Sequence, residues 1–437
     1  MQPADPAPVV PSHVVASSSV SIYGRIMRRL LPLLFICYVA CYLDRVNVGF
    51  AKLQMATDLG FSDTVYGLGA GMFFIGYLAF ETPSNMILYR VGARLWLARI
   101  MVTWGIISAA MLFVRSPAMF YAMRFLLGVA EAGFFPGVVL YLTQWFPSQR
   151  RAGVIAIFMT GIPVSGVLGG PLSGWIMQNM SGTSGLASWQ WLFLIEAIPS
   201  IVLSWVLLKT LPDRVSDVDW LDDREKAWVK SQLDAEHDAK PDASLKQMFT
   251  DGRVWLCVLI NFSIATGQYG VSFWLPTLVK QLGLRDNFQI GYLSAIPYLA
   301  GVVAMLVLSR SGDRLRERRW HVAGPALVGS AGFVLSTFLQ HDTALALAAL
   351  TIATGGVMAT LPLFWCLPTS FLKGASGAAG IGLINSVGAL AGFVSPLLTG
   401  LLNDLTHDAR YGVSMLAAWL VVGALLVLRL PRALVNR

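Results

Sequence analysis

The sequence predicts an all-α integral membrane protein with twelve transmembrane helices in two six-helix halves. Three observations predict it. Of 437 residues, 56% are hydrophobic and only 13% charged, and the mean hydropathy is +0.64. A soluble domain carries about 25% charged residues. Crossing a hydrocarbon core of about 30 Å takes about 20 apolar residues, and runs of that length recur along the whole chain. Twelve of them need roughly 240 residues, close to the apolar share of the sequence. Finally, the runs fall into two sets of six, separated by one long polar stretch. This profile argues against a soluble enzyme, a secreted disulfide scaffold, a disordered chain and a nucleic-acid binder.

Residues 1–24 read as a disordered cytoplasmic tail, with Arg25, Arg28 and Arg29 at the first membrane face. Positions 1–20 are rich in Pro, Ser and Val and lack a basic stretch before an apolar core, so no cleavable signal peptide is expected. The first half, 25–210, has spans at about 30–50, 65–88, 95–114, 118–141, 152–178 and 189–210. The stretch 211–253 is a polar linker containing Asp213, Arg214, Asp217 and the run Asp222 to Lys226. A surface helix is expected there, with Asp219 as its cap, Asp222 and Asp223 in its first turn and Trp220, Trp228 and Leu233 on one apolar face. The second half, 254–437, has spans at about 254–280, 290–309, 321–340, 343–370, 376–402 and 411–430, then a short cytoplasmic tail.

Orientation follows from Lys and Arg in the short loops. Arg90, Arg94, Arg150, Arg151, Arg310, Arg314, Arg316, Arg318, Arg319 and Lys373 follow even-numbered spans, and Arg429, Arg432 and Arg437 close the chain. The opposite loops carry only Lys52, Arg115, Lys280, Arg285 and Arg410. Both termini are therefore expected in the cytoplasm, with the protein multi-pass in the cell inner membrane. The net charge of +8 marks these loops and not a nucleic-acid partner. Cys37, Cys41, Cys257 and Cys366 all sit in apolar runs without metal spacing and read as small buried hydrophobes. The five histidines are scattered, no phosphate-binding loop occurs, and neither a metal nor a cofactor is expected.

The halves echo each other. Gly128-Val129 and Gly356-Val357 occupy matching places, as do the small-residue runs Gly166–Gly174 and Gly392–Gly400. Parallel repeats of six helices around a midplane site are one transporter architecture.

Charges inside spans cost about 2.5–3.5 kcal/mol each at the centre and mark function. Span 1 holds Asp44-Arg45, and span 4 holds Arg124 and Glu131. Each pair is formally neutral, which suggests mutual compensation. Arg124 and Glu131, seven residues apart, share one helix face, with Gly128 between them leaving room for something to enter.

These residues carry a resemblance. Tyr42-Leu-Asp44-Arg45-Val-Asn47-Val-Gly-Phe-Ala51, Glu81-Thr-Pro83-Ser84-Asn85 with Arg90-Val-Gly92-Ala-Arg94, and Arg124 to Gly137 resemble the first half of the anion:cation symporter family of the major facilitator superfamily. Tyr269 to Pro276, Phe364-Trp365 with Pro368-Thr369, and Ala379 to Ser386 are similar to its second half. The resemblance implies the major facilitator fold and a secondary transporter taking up a small organic anion with protons: tartrate, another hydroxy- or sugar acid, or an aromatic carboxylate. It implies Arg45 and Arg124 as substrate-facing arginines and Asp44 and Glu131 as protonatable carboxylates. Tyr42, Tyr77, Asn261, Tyr269, Trp365 and Asn385 fall where that family lines its cavity. A lipid-embedded monomer with no cofactor is expected.

Some positions depart from the pattern. Asn85 and Tyr89 stand where the superfamily's loop after span 2 has Gly and Asp, so its ionic latch should be altered; the later loop keeps Asp313-Arg314 but has Arg316 for glycine. Ile162 stands where sugar-acid relatives present a glutamine, which disfavours a heavily hydroxylated substrate. Gly166, Gly170 and Pro171 resemble an antiporter motif, so an organic-anion or drug exchanger is the alternative, and a non-transporting sensor of an organic acid a more distant one.

The orientation is checked with a cysteine placed beside Arg316. It should react in intact cells only with a reagent that crosses the membrane, and labelling by an impermeant reagent would reverse the topology.

Overall fold

The computed structural model describes residues 12–238, 250–372 and 374–435. Of the positions invoked above, tail residues 1–11, Lys373 and Arg437 lie outside the described residues. Twelve helices are long and apolar enough to span a membrane. Spans 1 to 6 are Ser21–Leu59, Asp63–Val91, Ala93–Phe113, Pro117–Thr143, Gly153–Asn179 and Ser188–Thr210. Spans 7 to 12 are Gly252–Lys280, Asn287–Leu315, Arg319–Phe338, Thr343–Ser370, Gly380–Thr406 and Ala409–Arg429. Among the described residues there is no strand. All twelve expected spans are present.

Local chemistry sets where several spans begin. Ser62, Ser116, Asp251, Asp286, Asp342 and Asp408 each accept a hydrogen bond from a backbone N–H in the first turn that follows, satisfying donors that have no partner within the helix. Hydrogen bonds from Arg253 and Arg410 hold the carboxyls of Asp251 and Asp408 below the usual carboxylate range, so these two caps stay charged.

The tail and the linker differ from expectation. The first helix already starts at Ser12, so residues 12–24 are helical and not disordered. Ile22, Tyr23 and Ile26 are buried, and the Tyr23 ring lies 5.6 Å from Trp228 and 5.9 Å from Phe146. The linker's tryptophans give this segment an apolar surface to dock on. The linker helix runs Asp223–Asp238, and its cap is Asp222, not Asp219. The Asp222 carboxylate accepts from the Glu225 N–H while the Glu225 carboxylate accepts from the Asp222 N–H. That reciprocal box needs a side chain of glutamate length three positions on, which Asp219 lacks. Trp220 precedes the helix and stacks on Trp145 of the loop after span 4, under the guanidinium of Arg29. Arg25 pairs with Glu225.

The two loops that depart from the superfamily pattern settle differently. Arg94 binds Asp213 of the linker through its backbone N–H at 2.9 Å and its Nε at 3.3 Å, so the loop after span 2 is latched to the linker. Arg316 adopts a left-handed φ of 51° at the end of span 8, the conformation a glycine would take without strain.

Both described ends of the chain lie on one face, here the terminal face. On the opposite, far face the halves close on each other, backbone to backbone. A Cβ on Gly67 would sit 2.2 Å from the Pro396 carbonyl oxygen, one on Gly400 2.1 Å from that of Asp63, and one on Gly291 2.2 Å from that of Gly170. The repeated small residues of spans 2, 5, 8 and 11 thus make the closure. Polar contacts complete it. The Asp404 carboxylate of span 11 accepts from the N–H groups of Asp63 and Thr64 at 3.1 and 2.8 Å, capping span 2 from the other half. Lys52 pairs with Asp63 at 2.8 Å and lies 3.8 Å from the Trp274 ring, and Lys280 Nζ donates to the Leu53 carbonyl.

A methyl group at Gly67 is expected to oppose this closure. Overpacking costs about 1–3 kcal/mol, roughly a 5- to 150-fold shift in a two-state equilibrium. Spin-label distances across the far face should lengthen in Gly67→Ala; an unchanged distribution would show that the closure does not depend on this contact.

Candidate functional site

Beneath the closed far face, a cavity lies between the halves. Its residues come from the terminal-side and middle parts of spans 1, 2, 4, 5, 7, 10 and 11. Tyr42, Arg45, Tyr77, Asn261, Tyr269, Trp365 and Asn385 all line it. Ile162 does so too, an apolar side chain where the sugar-acid pattern would place an amide.

Arg45 is the charged group on this wall. Its guanidinium lies 4.6 Å from the Tyr42 ring, 5.0 Å from Phe73 and 5.6 Å from Tyr77. Cation–π contact with three rings fixes its place without using all of its donors. Its Nη2 pairs with Glu131 of span 4, its Nε has no hydrogen-bond partner among the described residues, and the residue is 7% exposed. Glu131 is fully buried behind it. One Glu131 oxygen accepts from Arg45 and from the Cys41 thiol at 3.0 Å, and the other has no hydrogen-bond partner among the described residues.

The remaining lining groups are polar or aromatic. Gln268 donates to the Tyr42 hydroxyl at 3.4 Å, linking span 7 to span 1. Asn261 donates at 3.0 Å to the Ile384 carbonyl, which Gly388 permits because a Cβ there would lie 2.0 Å from the amide nitrogen. Asn385 donates at 3.3 Å to Glu81 and so ties span 11 to span 2. Toward the far face the cavity ends on an aromatic plug, where Phe74 meets Tyr269 at 4.5 Å and Phe273 at 6.1 Å.

Of the four expected charged residues only Arg45 lines the cavity; Glu131 lies behind it, and the other two stand apart. Arg124 does not line it. It is fully buried, its Nη2 only 3.5 Å from the Ala70 carbonyl, its Nε and Nη1 without partners among the described residues. Its guanidinium lies 5.2 Å from the same Phe73 ring that meets Arg45. Asp44 points the other way from Arg45, into the first half, where Trp104, Ser108 and Ser200 donate to it at 3.1, 2.9 and 2.5 Å. The neutral pairs expected within single spans are therefore not the pairs formed. Arg45 compensates Glu131 across 86 residues, because neighbours in sequence point apart on a helix. Gly128 also serves differently: a Cβ there would lie 1.9 Å from the Phe73 carbonyl oxygen, so it admits the backbone of span 2 and leaves no entry space.

Sequence reasoning missed Gln268, Glu81 as the partner of the cavity residue Asn385, and Glu196. The last was visible as a lone acid in the apolar run of span 6, and it is fully buried. No group of three or more metal-ligating side chains occurs among the described residues.

Residues 34–396 match the family described as Major Facilitator Superfamily. "Putative metabolite transport protein NicT" of Pseudomonas putida is 47% identical over 95% of this chain and 96% of its own. A "Putative tartrate transporter" of Agrobacterium vitis is 46% identical over 94% and 95%. A "Quinolone resistance transporter" of Acinetobacter baumannii is 42% identical over 91% and 92%.

The geometry separates the two arginines. Hydrogen bonds to a charged group are worth about 1.5–3 kcal/mol, so Arg45→Lys, which loses the planar fork, should weaken binding of an organic anion by about tenfold or more. Arg124→Lys should lower thermal stability while affinity measured from the terminal side stays within a few-fold. Equal losses of affinity in both variants would place Arg124 in the same site as Arg45.

Proposed function

The chain belongs to the Major Facilitator Superfamily and is a multi-pass membrane transporter, not an enzyme. We propose that it is a proton-coupled symporter taking up a small organic anion across the inner membrane, with both termini in the cytoplasm. The substrate would be a carboxylate: tartrate, another hydroxy- or sugar acid, or an aromatic acid. The observation that carries this reading is Arg45, a cation at the cavity wall whose ionic partner is a fully buried glutamate. The tartrate-transporter name of a relative 46% identical supports the substrate class.

The pairing suggests how proton and anion are linked. An arginine fork binds a carboxylate at two points and stays charged when desolvated. A substrate carboxylate arriving at Arg45 competes with Glu131. Losing its cation would leave Glu131 as a bare buried charge, which is costly. Taking a proton removes that charge. Anion and proton therefore favour each other's binding, and the coupling works in both directions. Asn385, Asn261, Gln268 and the tyrosines would test the substrate's shape and hydroxyls.

Alternating access supplies the rest. With the far face shut and the cavity extending toward the terminal face, the structure corresponds to an inward-facing state in this reading. Arg124 lies seven residues nearer the far end of span 4 than Glu131, roughly 10.5 Å along the axis. Opening the far face would lift the Phe73–Phe74 plug and uncover it. Arg124 would then receive the anion first and Arg45 afterwards, with the Phe73 ring between them. The quinolone-resistance relative favours a second reading, efflux by exchange. An exchanger requires a counter-substrate inside the vesicle, and a symporter does not.

Proteoliposomes decide between these readings. Parent protein should accumulate labelled tartrate, or another acid from a panel, in empty vesicles under an inward proton gradient. One coupled proton supplies about 1.4 kcal/mol per pH unit, about tenfold in accumulation. Glu131→Gln should still exchange labelled for unlabelled substrate but lose that tenfold. Full gradient-driven accumulation by Glu131→Gln would remove Glu131 from the proton route. Uptake that requires internal substrate would establish exchange.

A further inference from the structure

Glu196 takes no part in the cavity described above. It lies in the middle of span 6 and is fully buried. Ser173 of span 5 donates to one of its oxygens at 2.6 Å. Asn47 of span 1 stands beside it as a more distant donor, and among the described residues the second Glu196 oxygen has no close hydrogen bond. The charged side chain that acts on Glu196, among the described residues, is Asp44.

Helix geometry explains why the two carboxyls lie near enough to act on each other. Glu196 and Ser200 are four residues apart and share one face of span 6; Asp44 and Asn47 are three apart and share one face of span 1. Ser200 donates to Asp44 at 2.5 Å, so these two faces oppose each other. The elements packed around the pair contribute neutral donors and one further carboxylate, Glu131 of span 4, which acts on Asp44 but is held by Arg45. Span 3 turns Trp104 and Ser108 to Asp44, and span 5 turns Ser173 to Glu196. Neither carboxyl has a salt-bridge partner among the described residues. Arg45, the cation next in sequence to Asp44, is engaged by Glu131 instead.

Two ionised carboxylates in one buried pocket without a cation would repel each other and forgo solvation. The donors are also unevenly shared: three bind Asp44 closely, whereas Glu196 has Ser173 close and Asn47 at longer range. We propose that Asp44 and Glu196 bind one proton between them, forming a proton site inside the first half that is separate from the Arg45–Glu131 pair and screened from the cavity. Span 1 connects the two sites, since it carries Asp44 and Asn47 on one side and Arg45 on the other. A change of charge at the buried pair therefore acts on the helix that holds the anion. The assignment of a transport role to this proton rests on the symport reading; the proton itself does not.

Infrared titration of the full chain in detergent tests the proposal without a ligand. The parent should show the carbonyl band of a protonated buried carboxyl, persisting above the pH at which exposed Asp and Glu ionise. The parent-minus-variant difference spectrum isolates the contribution of each replaced group. Glu196→Gln removes the second carboxyl and should move the midpoint of the remaining band to lower pH by about one unit or more, the size of a strong site–site coupling. Ser173→Ala removes the donor that favours the ionised pair and should move the midpoint to higher pH. Opposite shifts from two neutral replacements are not produced by loosened packing. If Glu196→Gln does not fold, the alkaline shift in Ser173→Ala carries the test. An unshifted midpoint in the folded variants, or no such band in the parent, overturns the shared proton. Failure of symport is read elsewhere, from parent proteoliposomes that ignore a proton gradient.

Discussion

The ion pair between Arg45 and Glu131 organises the first half of this protein. A fully buried carboxylate needs compensation, and here the cation comes from another helix and also faces the cavity. The pair fixes span 1 against span 4. It leaves Asp44, the neighbour of Arg45, to face inward and gather donors from spans 3 and 6. It also leaves Arg124 near the Phe73 ring without a carboxylate partner among the described residues. In the proposed coupling, the same pairing makes the arginine available on condition, because it turns to a substrate only once Glu131 is otherwise neutralised.

In the proposed transport cycle, the rest of the architecture exposes that contact on one side at a time. Far-face closure relies on backbones approaching through glycine, where dispersion over close-packed surface replaces the hydrophobic effect that lipid does not supply. The polar contacts there join the halves through groups the helices must satisfy anyway, such as the first N–H groups of span 2. A seam of this kind has two discrete states, because removing a few close contacts releases many others.

The spans were legible because hydropathy over twenty residues is a strong signal, and the cavity because polar and aromatic residues at span centres are rare enough to notice. Arg45, Tyr42, Tyr77, Asn261, Tyr269, Trp365 and Asn385 do line one cavity. Pairing was not legible. Arg45 and Glu131 are 86 residues apart, and the nearer candidates in sequence, Asp44 and Arg124, point elsewhere. Glu196 gave no local sign of a partner, since its donor Ser173 is 23 residues away on another span. The role of Gly128 was misread for a related reason: a small residue marks close approach, and the sequence does not say whether a ligand or a backbone approaches. The tail was misread because its docking surface, the linker's tryptophans, lies some 200 residues downstream.

That docking has a practical side. Each linker contact described here, from Tyr23 and Arg25 to Arg94 and Trp145, belongs to the first half. The helix Asp223–Asp238 therefore rides with that half as an outboard handle. An antibody fragment raised against its exposed face would add mass for imaging, or a tether to a surface, without bridging the parts that move. Two such labels, one on this helix and one on the terminal end of span 12, would turn rocking of the halves into a change in distance visible on single molecules.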